Sequence, residues 1–188
     1  AVASDIHKGP IESARKNIAD AGLSDLIHTE LTDGLHGIEK YPVTDIAIAG
    51  MGGMMIAGIL EAAPFIRERK TRLILQPMQH IPELRRELAE KGYRIEKEVQ
   101  TMAEGKFYQI ICAVYDGKTR EICDLEAYLG AYNIAHKTEN KENFTLLCKR
   151  HLDILNEKIK GMEKGGHDAT AERRLSEEIT RELREIET

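Results

Sequence analysis

Long apolar runs, paired cysteines and an excess of positive charge are all missing from this 188-residue sequence. No run approaches the ~18 apolar residues of a membrane-spanning helix, so a helical membrane protein is excluded and a soluble chain expected. The three cysteines, Cys112, Cys123 and Cys148, are odd in number and widely spaced, with no C-x-x-C pair. That argues against a disulfide framework or a zinc site, predicts no metal, and fits a reducing cytoplasm. Net charge is −5, with 16 basic and 18 acidic residues before Cys123 and 11 and 14 from there on. Neither half is a basic nucleic-acid module, so any such contact must come from local patches. Arg67, Arg69, Lys70 and Arg72 form the clearest one, although such a run equally fits a solvated loop. No G-x-G-x-x-G occurs, which disfavours a dinucleotide-dependent oxidoreductase. The first residue is Ala1 rather than methionine, no signal-peptide pattern opens the chain, and Ala1–Ile6 already reads as the interior of a strand. The expectation is that a segment upstream of Ala1 is missing.

What the sequence does contain is organised around Thr44–Met55, TDIAIAGMGGMM. The apolar run Ile46–Ala49 stops at Gly50-Met51-Gly52-Gly53, and Ile56, Ile59 and Leu60 then recur at helical spacing, so a buried strand, a glycine turn and a helix are predicted. In a parallel sheet, ligands bind beyond the carboxyl ends of strands, where glycines admit close backbone approach and a helix N-terminus offers free N–H groups. A tight turn of any α/β domain has the same appearance.

Before this stretch, Gly9-Pro10 opens a helix with Ile11, Ala14, Ile18 and Ala19 on one face and Gly22 at its stop; Leu26–Leu31 is a second strand ending at Thr32-Asp33-Gly34, and His36–Pro42 a loop. After it, Leu73–Leu75 is a strand ending at Gln76-Pro77, Pro82–Gly92 a helix, and Tyr93–Tyr115 a hairpin turning at Glu104-Gly105. The prediction over residues 1–120 is a doubly wound α/β sheet with an antiparallel hairpin edge. Residues 121–188 are almost wholly helical. Cys148, Leu152, Leu155, Ile159 and Met162 follow a/d spacing, Gly165-Gly166 breaks the run, Asp168 is a candidate N-cap, and Leu175, Ile179, Leu183 and Ile186 form a second stripe. A coiled-coil-like helical hairpin is expected, serving as a packing arm, a homodimer contact or an RNA grip.

Asp5, Asp33-Gly34 and Gly50–Gly53 each end a strand on one edge. A strand-terminal carboxylate can accept both ribose hydroxyls of a nucleotide, and the next loop can accept from an exocyclic amine; Asp5 fits the first role and Asp33 the second, although Asp-Gly is also a common turn.

The phrases ASDIHKGPIESARKNIADAGL, TDGL, TDIAIAGMGGMMIAGIL, LILQPM and KFYQIICAVYDGK, in this order and spacing, resemble the bacterial TrmK-type tRNA (adenine-N1)-methyltransferases, which act on adenine 22. The resemblance implies a class I S-adenosylmethionine-dependent methyltransferase domain, Rossmann-like in fold, with a C-terminal coiled-coil-like domain. It assigns cofactor contacts to Asp5, at the ribose, to Ile6, against adenine, and to Asp33, Gly34, Ala49 and Gly50. Met51, Gly52, Gly53, Gln76 and Pro77 face the target base, and Arg67, Arg69, Lys70, Lys149 and Arg150 are candidate tRNA contacts. The family's first strand, with its acidic glycine loop and a proposed catalytic aspartate, is not in this sequence and would precede Ala1, between the strands ending at Asp5 and Ala49. The 188 residues alone are therefore expected to be inactive.

Methyl transfer from a sulfonium is an in-line displacement that needs alignment and exclusion of water rather than a covalent nucleophile. Adenine N1 lies on the Watson–Crick edge, so the base must be flipped or locally melted out. The sequence lacks the N-P-P-Y type loop of many amino-group methyltransferases, which is consistent with a ring-nitrogen target. The alternatives are a non-catalytic RNA-binding or dimerising protein on the same fold and, with less support, a dinucleotide-binding oxidoreductase.

Overall fold

The computed structural model describes residues 1–187. Strand β1 (Val2–Asp5) leads into helix α1 (Lys8–Asp20), which returns to β2 (His28–Leu31). These strands pair in parallel, Val2 opposite His28 and Asp5 opposite Leu31, and form a sheet of their own. The loop after β2 carries a 3-10 turn (Ile38–Lys40) where only irregular chain is expected. A second sheet holds β3 (Asp45–Gly52), β4 (Arg72–Gln79), β5 (Tyr93–Ala103) and β6 (Lys106–Tyr115) in the order β3-β4-β6-β5. The β3–β4 pair is parallel, whereas β6 runs antiparallel to both neighbours. Helices α2 (Gly53–Glu61), α3 (Phe65–Arg69) and α4 (Ile81–Glu90) connect the strands of this sheet. The core is built from Ile46 and Ile48 of β3, Leu73 and Leu75 of β4, Ile111 of β6, Ile56 and Leu60 of α2, and Leu84 and Leu88 of α4.

The sheet is therefore split, and the split runs between β1 and β3. Because Thr32 N–H bonds the Asp5 carbonyl and His28 N–H the Ala1 carbonyl, the odd residues of β1 face β2, and alternation turns the backbone groups of Val2 and Ser4 outward. On the other side Arg72 N–H bonds the Thr44 carbonyl, so the backbone groups of Asp45, Ala47 and Ala49 face away from β4. A cleft of about 600 Å³ separates these edges, lined by Val2 and Ser4 on one side and Asp45–Ala47 on the other. Ser4, Asp45, Ala47 and Ala49 are exposed, so water satisfies groups that would each cost ~1–3 kcal/mol if buried without a partner. This also corrects the expectation of a buried third strand: Ile46 and Ile48 are buried, but Ala47 and Ala49 are exposed.

After β6 come two short helices, α5 (Asp124–Leu129) and α6 (Ala131–Ala135), then the hairpin of α7 (Lys141–Lys164) and α8 (Thr170–Glu187). Cys148 and Leu155 of α7 share one apolar cluster with Leu175, Ile179 and Ile186 of α8, and Leu152 and Leu183 pack against it. The two stripes are thus consumed inside one chain. A homodimer through these helices would have to use faces other than this seam, which already has its partner within the chain. Asp168 accepts the Thr170 N–H at 2.9 Å at the start of α8.

A buried polar cluster joins the sheet to the helices. Arg85 of α4 is 1% exposed and donates to Glu98 of β5 at 2.8 Å, to Gln109 of β6 at 2.9 Å, and to the carbonyls of Ala127 and Tyr128 of α5. Asn133 of α6 donates to the other Glu98 oxygen at 3.2 Å and accepts from Gln100 at 2.8 Å. Desolvation raises the Glu98 pKa, and the Arg85 charge opposes it. Gly130, at φ +86°, is required between α5 and α6, since a Cβ there would lie 1.9 Å from the Glu98 carboxylate.

Candidate functional site

The predicted site residues fall at the ends of β1 to β4, where the backbone is bent by specific bonds. At the end of β1, Asp5 is half-buried, and its Oδ1 accepts the His7 N–H at 2.7 Å just before α1. One carboxylate oxygen is spent on starting the helix and the other is left for a ligand. Ile6 beside it is 56% exposed, a large apolar side chain held in water at the mouth of the strand. At the end of β2, Asp33 is exposed and Gly34 adopts φ +56°. A Cβ on Gly34 would meet Ile59 of α2 at 3.3 Å, so this loop rests on the helix that follows β3.

The end of β3 differs from a plain turn. The strand continues through the glycines to Gly52, with register shifts on either side of Met51, because Gly50 takes φ +76° and forms a bulge. The Gly50 N–H, freed from the ladder, is accepted by the Gln76 side-chain oxygen of β4 at 2.9 Å. Gln76 in turn donates to the Pro77 carbonyl at 3.2 Å, and Pro77 is buried under the bulge. Gly53 opens α2 with no side-chain cap and is buried against the next strand end: a Cβ there would lie 2.3 Å from the His80 carbonyl oxygen. His80 itself has φ +55° and leads into α4. Met54 and Met55, which follow Gly53 in α2, and Met78 of β4 are 46%, 61% and 51% exposed, flexible apolar side chains next to these small residues in the chain.

The cationic candidates divide. Arg67, Arg69 and Lys70 precede Arg72, the first residue of β4, and so lie at the amino edge, eight residues of strand from Gln79. At ~3.3 Å per residue, Arg72 is about 13 Å from the start of the glycine turn, where Ala49 pairs with Gln76, and about 23 Å from its Gly52 end. Arg69 donates to the carbonyls of Glu39 and Tyr41, and Arg67 to the Tyr93 hydroxyl, which fastens α3 to the neighbouring loop and β5. Arg67 and Arg69 are thus engaged within the fold, and the patch lies away from the carboxyl ends of the strands. Lys149 and Arg150 are exposed on α7, and Arg150 lies over the Phe107 ring at 5.2 Å. Lys137, just before α7, is paired with Glu182 and Glu185 of α8. The sequence reading missed Phe107, Gln109, Tyr128 and His151, which line the space between α7 and the end of β4. Their signal was present only as polar or aromatic residues interrupting apolar patterns.

With this geometry, comparison with known proteins is decisive: residues 1–111 match the methyltransferase domain family. The chain belongs to the methyltransferase domain family. A tRNA (adenine(22)-N(1))-methyltransferase of Bacillus subtilis is 39% identical over 124 residues, 62% of this chain and 52% of that relative. The chain thus spans about half the length of this curated relative. Among solved structures, Streptococcus pneumoniae Sp1610, a putative tRNA (m1A22) methyltransferase in complex with S-adenosyl-L-methionine, superposes with a TM-score of 0.81 at 28% identity, covering 97% of this chain and 80% of that one. The Bacillus subtilis m1A22 tRNA methyltransferase TrmK covers all of this chain and 80% of its own, with a TM-score of 0.74 and 27% identity. The match extends through the C-terminal helices of this methyltransferase-family chain. The fold is the class I, Rossmann-like α/β arrangement with a mixed sheet and C-terminal helices.

Proposed function

We propose that this chain carries S-adenosylmethionine-dependent methylation of N1 of an adenine in tRNA, position 22 in the D-arm region. The observation that carries this reading is the glycine notch closed by the Gly50–Gln76 bond, on the carboxyl edge of a methyltransferase-family fold. Residues 1–120 act as the methyltransferase domain and residues 121–188 as the helical domain that helps hold tRNA, in the cytoplasm. Any homodimer would have to use a surface other than the α7–α8 seam.

The side chains present suit the adenosyl half of the cofactor. Asp5 keeps one carboxylate oxygen for the ribose hydroxyls, Ile6 offers an exposed apolar face to adenine, and the exposed Asp33 at the end of β2 offers an acceptor for its amine. S-adenosylmethionine supplies an electrophilic methyl group on a sulfonium. The chain's own task is alignment. Small residues from Ala49 to Gly53 leave room for a purine, their carbonyls are available to the positive charge that develops on the adenine ring, and the neighbouring methionines exclude water. Gln76 fixes the turn, so that these carbonyls need not reorganise as the reaction proceeds.

A second reading, a non-catalytic RNA-binding module, is favoured by one observation, the open cleft between Val2 and Ser4 of β1 and Asp45–Ala47 of β3. Calorimetric titration of S-adenosylmethionine into residues 1–188, and into the same residues extended upstream by one βα unit, separates the two readings. The methyltransferase reading expects weak binding by the first and firm binding by the second, with N1-methyladenine identified by mass spectrometry after incubation with unmodified tRNA. No binding and no product from either protein leaves the RNA-binding module.

A further inference from the structure

Between the end of β4, β6 and the flank of α7 lies a second opening, about 320 Å³ in volume, with Gln76, His80, Phe107, Tyr128, Arg150 and His151 around it. It sits at the lower end of the size range for small-molecule sites, ~300–1,000 Å³. Three observations set it apart from a packing gap. Arg150 stands over the Phe107 ring and has no ion-pair partner among the described residues. A guanidinium on an aromatic face, free of a carboxylate, is a flat cationic platform. His151 is 9% exposed and edge-on to Tyr128 at 5.4 Å, yet its Nε2 has no hydrogen-bond partner. A buried polar atom left alone is costly, and a bound group that reaches it would remove that cost. Finally, Gln76 belongs both to this opening and to the glycine notch, since its side-chain oxygen holds the Gly50 N–H. The only acid in the wall, Glu83, faces His80 at 3.9 Å.

We propose that this cleft holds a single unstacked nucleotide of the RNA, the immediate neighbour of the methylated adenine, with its base laid on the Arg150–Phe107 pair. The inference rests on the tRNA reading above. Extruding an adenine into the notch strips one stacking face from each of its neighbours. A cleft one nucleotide wide, sharing a wall with the notch and furnished with an aromatic ring, a planar cation and glutamine amides, replaces that lost stack, as single-stranded RNA recognition generally does. His151 Nε2 lies just beneath the cleft surface, and a small rotation of the ring brings it to the edge of a bound base.

The test uses tRNA transcripts carrying 2-aminopurine on either side of adenine 22, titrated with the upstream-extended protein. One of the two positions should change its fluorescence on binding. Phe107→Leu and Arg150→Ala should abolish that change and raise KM for tRNA about tenfold, the loss falling in KM rather than in kcat. Arg150→Lys keeps the charge without the flat face and should resemble Arg150→Ala. If Phe107→Leu fails to fold by circular dichroism, Arg150→Lys alone carries the test. Wild-type behaviour of Arg150→Lys, or silence at both 2-aminopurine positions, overturns the proposal. Failure of the tRNA reading itself is distinguishable, because then no tRNA is methylated at all.

Discussion

Gln76 holds the backbone N–H of Gly50 with its side-chain oxygen at 2.9 Å, across 26 residues of sequence. The bond ties the bulge at the end of β3 to the end of β4, the two strand ends that frame the notch. Gln76→Glu keeps an acceptor and Gln76→Leu removes it. Because Gly50 is exposed, water replaces the lost bond and stability should fall by no more than ~1 kcal/mol. Methylation by Gln76→Leu should fall at least tenfold, in kcat more than in the affinity for S-adenosylmethionine, and Gln76→Glu should retain more activity. Equal kcat in all three proteins would show that the turn needs no such tether.

Gly53 and Gly58 make an internal comparison on α2. A Cβ at Gly53 meets the His80 carbonyl at 2.3 Å, whereas a Cβ at Gly58 meets nothing within 4 Å. Gly53→Ala should cost about 1–3 kcal/mol by overpacking and impair activity, while Gly58→Ala should stabilise by up to ~1 kcal/mol through helix propensity. Urea denaturation of the two variants checks both signs.

The Arg85–Glu98 pair, each side chain 1% exposed, should respond to single and double replacement in opposite ways. Arg85→Met leaves a buried carboxylate without its cation and should cost ~3–5 kcal/mol. Arg85→Met with Glu98→Leu should recover much of that loss, because no buried charge remains. The same cluster makes removal of residues 124–188 a poor test of RNA binding, since Arg85 would lose the carbonyls of Ala127 and Tyr128. Charge reversal at Lys149 is cleaner.

Burial, aided by the charges of Arg85 and Arg150, pushes the His151 pKa down to about 4 from its ordinary 6.5. Between these values the unfolded chain binds the proton and the folded chain does not, so stability is full above pH 6.5 and falls as pH drops toward 4. The full shift is equivalent to about 3 kcal/mol. Thermal melts of wild type and His151→Phe should therefore converge or cross on acidification, with the variant losing less between pH 7 and pH 4.5. Parallel pH profiles would contradict a neutral, buried His151.

The alternation of strand and helix, the glycine turn and the helical hairpin were legible because each has a local periodicity: Ile46 and Ile48, then Ile56 and Leu60, then the stripe from Cys148 to Ile159. The opening between β1 and β3 was not legible in the residues themselves, since a gap between two strands leaves no mark on the sequence of either. The sheet edge on which Arg67, Arg69 and Lys70 fall was not legible, because sequence records charge but not where the fold carries it. Arg85, Glu98 and Asn133 carried no local signal at all. Their meaning depends on meeting in space, and the same holds for the cleft between Phe107 and His151.

The account stands or falls on where a methyl group is placed. A methyl on N1 blocks the Watson–Crick edge and arrests reverse transcription, whereas one on the exocyclic amine leaves that edge able to pair. Unmodified tRNA should be incubated with S-adenosylmethionine and the upstream-extended protein, as wild type and as Asp5→Asn, and then reverse-transcribed. The expected result is one strong stop at adenine 22 that requires S-adenosylmethionine, disappears when that adenine is replaced by guanine, and needs roughly 10–100-fold more cofactor with Asp5→Asn, the loss of one strong hydrogen bond. Read-through at adenine 22 by wild type, or an undiminished stop at the same cofactor concentration with Asp5→Asn, would contradict it.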